Sequence, residues 1–130
     1  MITKLAQFLC VMNGGLLVQD CYGHAMFGTH EITNGDMVYS ITSTHHQMQY
    51  PYNLDDSDYD VLYTSRNRLS NRYLGDKIDY DKIEINGEPE IVLYDKVDMP
   101  KCLAIQGHPE YMRKEAPVVV MINRLIDSLL

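Results

Sequence analysis

Cys102-Leu-Ala-Ile-Gln-Gly-His-Pro-Glu110 is an apolar stretch that runs into a glycine and then presents a histidine and a glutamate two residues apart. Leu103 to Gln106 reads as a short strand. Pro109 fixes its own φ and pushes His108 toward an extended backbone. A strand-end histidine steadied by a carboxylate is the base-and-orienter pair that nucleophilic hydrolysis uses. The same residues also read as a loop histidine beside a surface glutamate, and a short motif alone does not choose between the two.

Working outward, Ala116 to Leu129 predicts a helix with Val118, Met121, Ile122, Leu125, Ile126 and Leu129 as its buried stripe, and Pro117 suits its first turn. Upstream, Lys82 to Tyr94 predicts a β-hairpin. Ile83 and Ile85 alternate before Asn86-Gly87, Ile91 and Leu93 alternate after it, and Asn-Gly fits a type I′ turn. Val61 to Thr64, Ala25 to Phe27, Leu16 to Gln19, and Met37 to Thr42 after the Asn34-Gly35 turn are further extended candidates. Ile2 to Asn13 predicts a helix with Leu5, Phe8, Leu9 and Met12 on one face, stopped by Asn13-Gly14-Gly15. The reading is a helix near each end of the chain with short strands and a hairpin between them.

With 130 residues, the chain has the length of one domain, and 45% apolar with 22% charged residues is ordinary globular composition. A formal charge of −7 argues against nucleic acid as a partner, because readers of a phosphate backbone carry a basic face. No membrane span is expected: the longest apolar piece, Val118 to Leu130, is broken by Asn123, Arg124, Asp127 and Ser128. The start lacks the pattern of a secretory signal, and Cys10, Cys21 and Cys102 form no Cys-x-x-Cys pair. Reduced thiols and a cytoplasmic location are the expectation.

Two other stretches contain residues able to do chemistry. Ile41-Thr-Ser-Thr-His-His-Gln47 places adjacent histidines after a strand, with His24 and His30 upstream. The spacing lacks the close ligand pairs of a zinc site, which favours a polar loop that shapes a pocket. Thr3 stands at the start of the first helix, where a threonine ordinarily serves as an N-cap. Asp55 to Asp60 lacks the alternation and closing glutamate of a calcium loop and reads as solvated.

Met1-Ile-Thr-Lys-Leu-Ala-Gln-Phe-Leu-Cys-Val-Met-Asn-Gly-Gly15, Ser43-Thr-His-His-Gln47 and Gln106-Gly-His-Pro-Glu110 occur in the order seen in class I glutamine amidotransferases. The chain resembles most their γ-glutamyl hydrolase-like branch, over essentially residues 1–130 as a single partial domain. The resemblance implies a flavodoxin-like α/β fold, represented here by its C-terminal part, with a mixed sheet, the β-hairpin and the terminal helix. It also implies a Cys-His-Glu triad, with His108 as base and Glu110 as its orienter. Gln7 matches the glutamine that helps hold substrate, and Ser43 and His45 fall on the loop that meets the amino-acid end of glutamine. No cofactor and no metal are implied.

The departures from the family pattern shape the functional expectation. Thr3 occupies the nucleophile position, and a threonine hydroxyl ionises far less readily than a thiol. Met1 and Leu5 replace the glycines of the nucleophile's tight turn. The chain begins where that turn begins, so the resemblance implies loss of the preceding strand and of one oxyanion-hole donor. The leading expectation is a degenerate, catalytically inactive amidotransferase-like protein that keeps part of a pocket for glutamine or another γ-glutamyl compound. One alternative is an interaction module, whose truncated edge is covered by self-association into a homo-oligomer or by a partner chain. The other is a γ-glutamyl amide hydrolase of glutaminase type, active once the missing half is supplied.

Overall fold

The computed structural model describes residues 2–21, 23, 28–45, 47–75 and 80–129, with side chains from residue 5 onward. In chain order the elements are α1 (Ile2–Met12), β1 (Leu16–Val18), β2 (Asp20–Cys21), β3 (Thr29–Thr33), β4 (Val38–Thr42), β5 (Met48–Tyr50), β6 (Tyr59–Ser65), β7 (Tyr73–Leu74), α2 (Tyr80–Asn86), β8 (Pro89–Tyr94), β9 (Cys102–Ile105) and α3 (Pro117–Leu129). A 3₁₀ turn at Pro109–Tyr111 follows β9. The Ala25–Phe27 candidate lies outside the described residues.

The main sheet has the order β4-β3-β6-β8-β9, and β1–β5 and β2–β7 form two small pairs. Every pair among the described residues is antiparallel. The architecture is therefore α/β with antiparallel sheets, and the expected mixed sheet is replaced, among the described residues, by antiparallel pairing throughout. The five-stranded sheet curls until its two edge strands meet at one end, where the His108 N–H donates to the Thr42 carbonyl at 2.6 Å. Gly107 permits that approach. A Cβ there would lie 2.5 Å from Ile41 Cδ1 and 3.0 Å from the Thr42 carbonyl oxygen.

Three apolar clusters hold the layers together. Val118 and Ile122 of α3 pack on Ile32, Ile41, Tyr63, Ile91 and Ile105 of the main sheet. Each aliphatic side chain buried this way stabilises the fold by about 1.5–3 kcal/mol. Ala6 and Cys10 of α1 pack on Val92, Tyr94 and Ala104. Val18, Cys21, Met48, Tyr50, Tyr52, Tyr73 and Ile83 form the third cluster around the small strand pairs. The α3 stripe read from sequence is largely the packed one, although Ile126 is 40% exposed. Among the described residues, no helix is long and apolar enough to cross a membrane.

Two further expectations need correction. Leu5, Phe8 and Met12 do share a face of α1, but it is the outer one, with exposures of 52%, 59% and 55%. Helical spacing shows which residues lie together and not which side is covered. The small residues Ala6 and Cys10 let the helix approach the sheet closely, and they decide the packing. The predicted stop does hold: Gly14, at φ +92°, donates to the Val11 carbonyl, and the Gly15 N–H reaches back to that of Cys10 at 2.9 Å.

The predicted hairpin from Lys82 to Tyr94 is a helix followed by a strand. Asn86 ends α2, and Gly87, at φ +92°, donates to the Ile83 carbonyl at 2.8 Å as a helix stop. Hairpin turns and helix C-termini both favour Asn-Gly, because both need positive φ. Ile83 is fully buried whereas Ile85 is 81% exposed, and β8 takes β6 and β9 as its partners.

Candidate functional site

The end of β9 is held from both sides before it reaches His108. The Gln106 N–H donates to the Glu90 carbonyl of β8 at 2.8 Å, and the His108 N–H donates to the Thr42 carbonyl of β4 at 2.6 Å. Pro109 then starts the 3₁₀ turn, which folds Glu110 back beside the ring. His108 Nδ1 lies 2.8 Å from Glu110 Oε1. A carboxylate can only accept, so Nδ1 carries the proton of this bond and the neutral ring has its lone pair on Nε2. That is the tautomer of a general base. His108 is buried, the Glu110 side chain is 33% exposed, and Tyr111 stacks on the imidazole with ring centroids 4.9 Å apart.

Ser43 directly follows Thr42, whose carbonyl holds His108, so the end of β4 and the His108 turn share one corner of the fold. Ser43 is itself buried, with its N–H bonded to the Gly28 carbonyl at 2.9 Å. Gln7 and His45 meet at another carbonyl. Gln7 Nε2 donates to Gln47 O at 3.1 Å, and His45 Nδ1 lies 2.7 Å from the same oxygen. Both side chains are buried and both hold the loop between β4 and β5 in place. The backbone of Thr3 belongs to α1, while its side chain lies outside the described residues, so its expected role at the nucleophile position does too.

A buried carboxylate links these loops to the sheet. Glu90 is 1% exposed; its Oε1 accepts from Ser65 Oγ at 2.9 Å and sits 2.8 Å from His30 Nε2. Its Oε2 lies 3.8 Å from His45 Nε2. An ionised group at this depth is tolerated only where hydrogen bonds and partners replace its water. One side chain thereby ties β3, β6, β8 and the loop before β5. Sequence reasoning did not single out Glu90 or Ser65. The available signal was Glu88-Pro-Glu90 at the head of an otherwise apolar strand. Glu88 is buried as well, and caps the main-chain N–H groups of Leu69 at 2.7 Å and Ser70 at 3.2 Å. Tyr111 was also missed, because a 3₁₀ turn returns it to His108 in a way that no periodicity announces.

The two buried thiols are poorly suited to nucleophilic chemistry. Cys10 is fully buried, and burial pushes its pKa from 9.0 up to about 11. Burial raises Cys21 further, with the Glu88 and Glu90 carboxylates adding to the shift. Neither thiol is a ready nucleophile, because the reactive form is the thiolate. Among the described residues, no three His, Cys, Asp or Glu side chains converge as a metal site, and His24 and His46 lie outside those residues. No family model, curated protein or solved structure matches the chain.

Proposed function

We propose that this chain is a degenerate member of the class I glutamine amidotransferase type, of flavodoxin-like descent and closest to the γ-glutamyl hydrolase-like branch. In this reading it holds glutamine or a γ-glutamyl compound near His108 without hydrolysing it. The observation that carries the reading is the 2.8 Å bond between His108 Nδ1 and Glu110 Oε1, which orients a basic Nε2 at the end of a strand. The shared corner of Ser43 and His108, and the anchoring of the Gln47 loop by Gln7 and His45, support it by fixing the polar side chains that the reading assigns to the site. Threonine at position 3 supports the inactive form, since a hydroxyl gives His108 a poor nucleophile to activate.

The test follows the His108 imidazole by NMR while glutamine and a γ-glutamyl amide are added, with ammonia release measured on the same samples. The expected result is a saturable shift of the His108 signals with no ammonia above that of His108→Ala. An unmoved His108 signal overturns the ligand reading. Ammonia release that His108→Ala abolishes overturns the inactive one and replaces it with a working hydrolase.

A further inference from the structure

We propose that the outer edge of β9 pairs with the same edge of a second copy of this chain, and that the two α1 helices meet across the junction. The proposal stands on the sheet geometry and is independent of what His108 binds. β9 is an edge strand of the five-stranded sheet. The Gln106 N–H bonds the Glu90 carbonyl, and residues of an antiparallel strand alternate in direction, so Cys102, Ala104 and Gln106 face β8. Leu103 and Ile105 therefore turn their N–H and C=O groups to the free side, where no described residue bonds them. An edge of this kind is a template for another strand.

The neighbouring helix selects the occupant. Ala6 and Cys10 seat α1 against Ala104, so the helix lies over the edge strand itself. Its outer face presents Leu5, Phe8, Val11 and Met12, each about half exposed. Antiparallel pairing of two identical strands requires a twofold axis perpendicular to the sheet. That operation places both copies of α1 on the same side of the continuous sheet, next to one another. One symmetry operation thus satisfies the free backbone groups and covers the apolar helix faces, which a lone extended peptide would leave bare. Charge agrees: each chain carries −7, yet β9 and α1 from Leu5 to Met12 hold no charged side chain. Two copies that meet along these segments bring no like charges from them together.

The experiment measures mass by light scattering across a dilution series, with residue-resolved hydrogen exchange on the same 130-residue chain. The expected result is a mass twice that of the chain at high concentration. The Leu103 and Ile105 amides are then protected, and they lose protection on dilution, while the Ala104 amide, bonded to β8, stays protected throughout. Phe8→Glu, on the exposed helix face, raises the dissociation constant at least about tenfold. Leu103→Pro removes one outward N–H without taking a rung from β8–β9, and has the same effect. A monomer at every concentration overturns the proposal. So does a dimer in which Leu103 and Ile105 exchange freely, because that dimer uses another surface; this readout needs no variant to fold.

Discussion

The main-chain N–H of His108 donates to the carbonyl of Thr42 at 2.6 Å, and this bond joins the two edge strands of the curled sheet at the corner where His108 and Ser43 lie. The candidate site is consequently built on a closure of the sheet, and it shares the packing that makes the closure.

Gly107 is the tight point of that closure. Gly107→Ala places a Cβ against Ile41 Cδ1 and the Thr42 carbonyl and costs about 1–3 kcal/mol, read from urea denaturation. Ile41→Val removes the Cδ1 and recovers part of this loss in the double variant, a coupling of at least about 0.5 kcal/mol. Additive effects would mean that the two residues do not meet.

Two carboxylates beside histidines separate burial from geometry. Glu90→Ala strips the buried partner from His30, His45 and Ser65 and costs about 3 kcal/mol or more. Glu110→Gln touches a partly solvated pair and costs less than about 1 kcal/mol, while altering the proton placement on the His108 ring. Thermal melts give the first comparison, and ¹⁵N chemical shifts of the imidazole give the second.

Ile83 and Ile85 distinguish the observed helix from a hairpin. Ile83→Ala opens a cavity in a core cluster and costs about 2–5 kcal/mol. Ile85→Ala changes an exposed side chain and stays within about 0.5 kcal/mol of the parent. Equal losses at both positions would restore the hairpin.

The buried thiols predict a loss of stability in alkali. Cys10 titrates at 9.0 when exposed and at about 11 when folded. Below pH 9 both states hold the proton and the contribution is constant. Between pH 9 and about 11 the unfolded state releases it first, so stability falls by up to about 1.4 kcal/mol per pH unit. Cys21 adds a slope of the same sign. Denaturation midpoints measured across this range fall with pH, and Cys10→Ala flattens the decline. At neutral pH a thiol reagent labels Cys102, the partly exposed thiol, and reaches Cys10 and Cys21 only on unfolding.

By itself the amino-acid sequence determined what depends on neighbouring residues: the extents of α1 and α3, the glycine stop after α1, the β3–β4 turn at Asn34-Gly35, and the strand that delivers His108 to a proline and a glutamate. The His108–Glu110 pair was legible because its two members lie two residues apart, within reach of one turn. Only the tertiary structure decided which face of α1 is covered, that Asn86-Gly87 ends a helix, and that Glu90 lies buried between His30, Ser65 and His45. Helical spacing and turn residues describe a segment's own preferences and leave its partners open. β8 satisfies its backbone against β6 and β9, and His30 finds a carboxylate sixty residues away, through packing that no local pattern encodes.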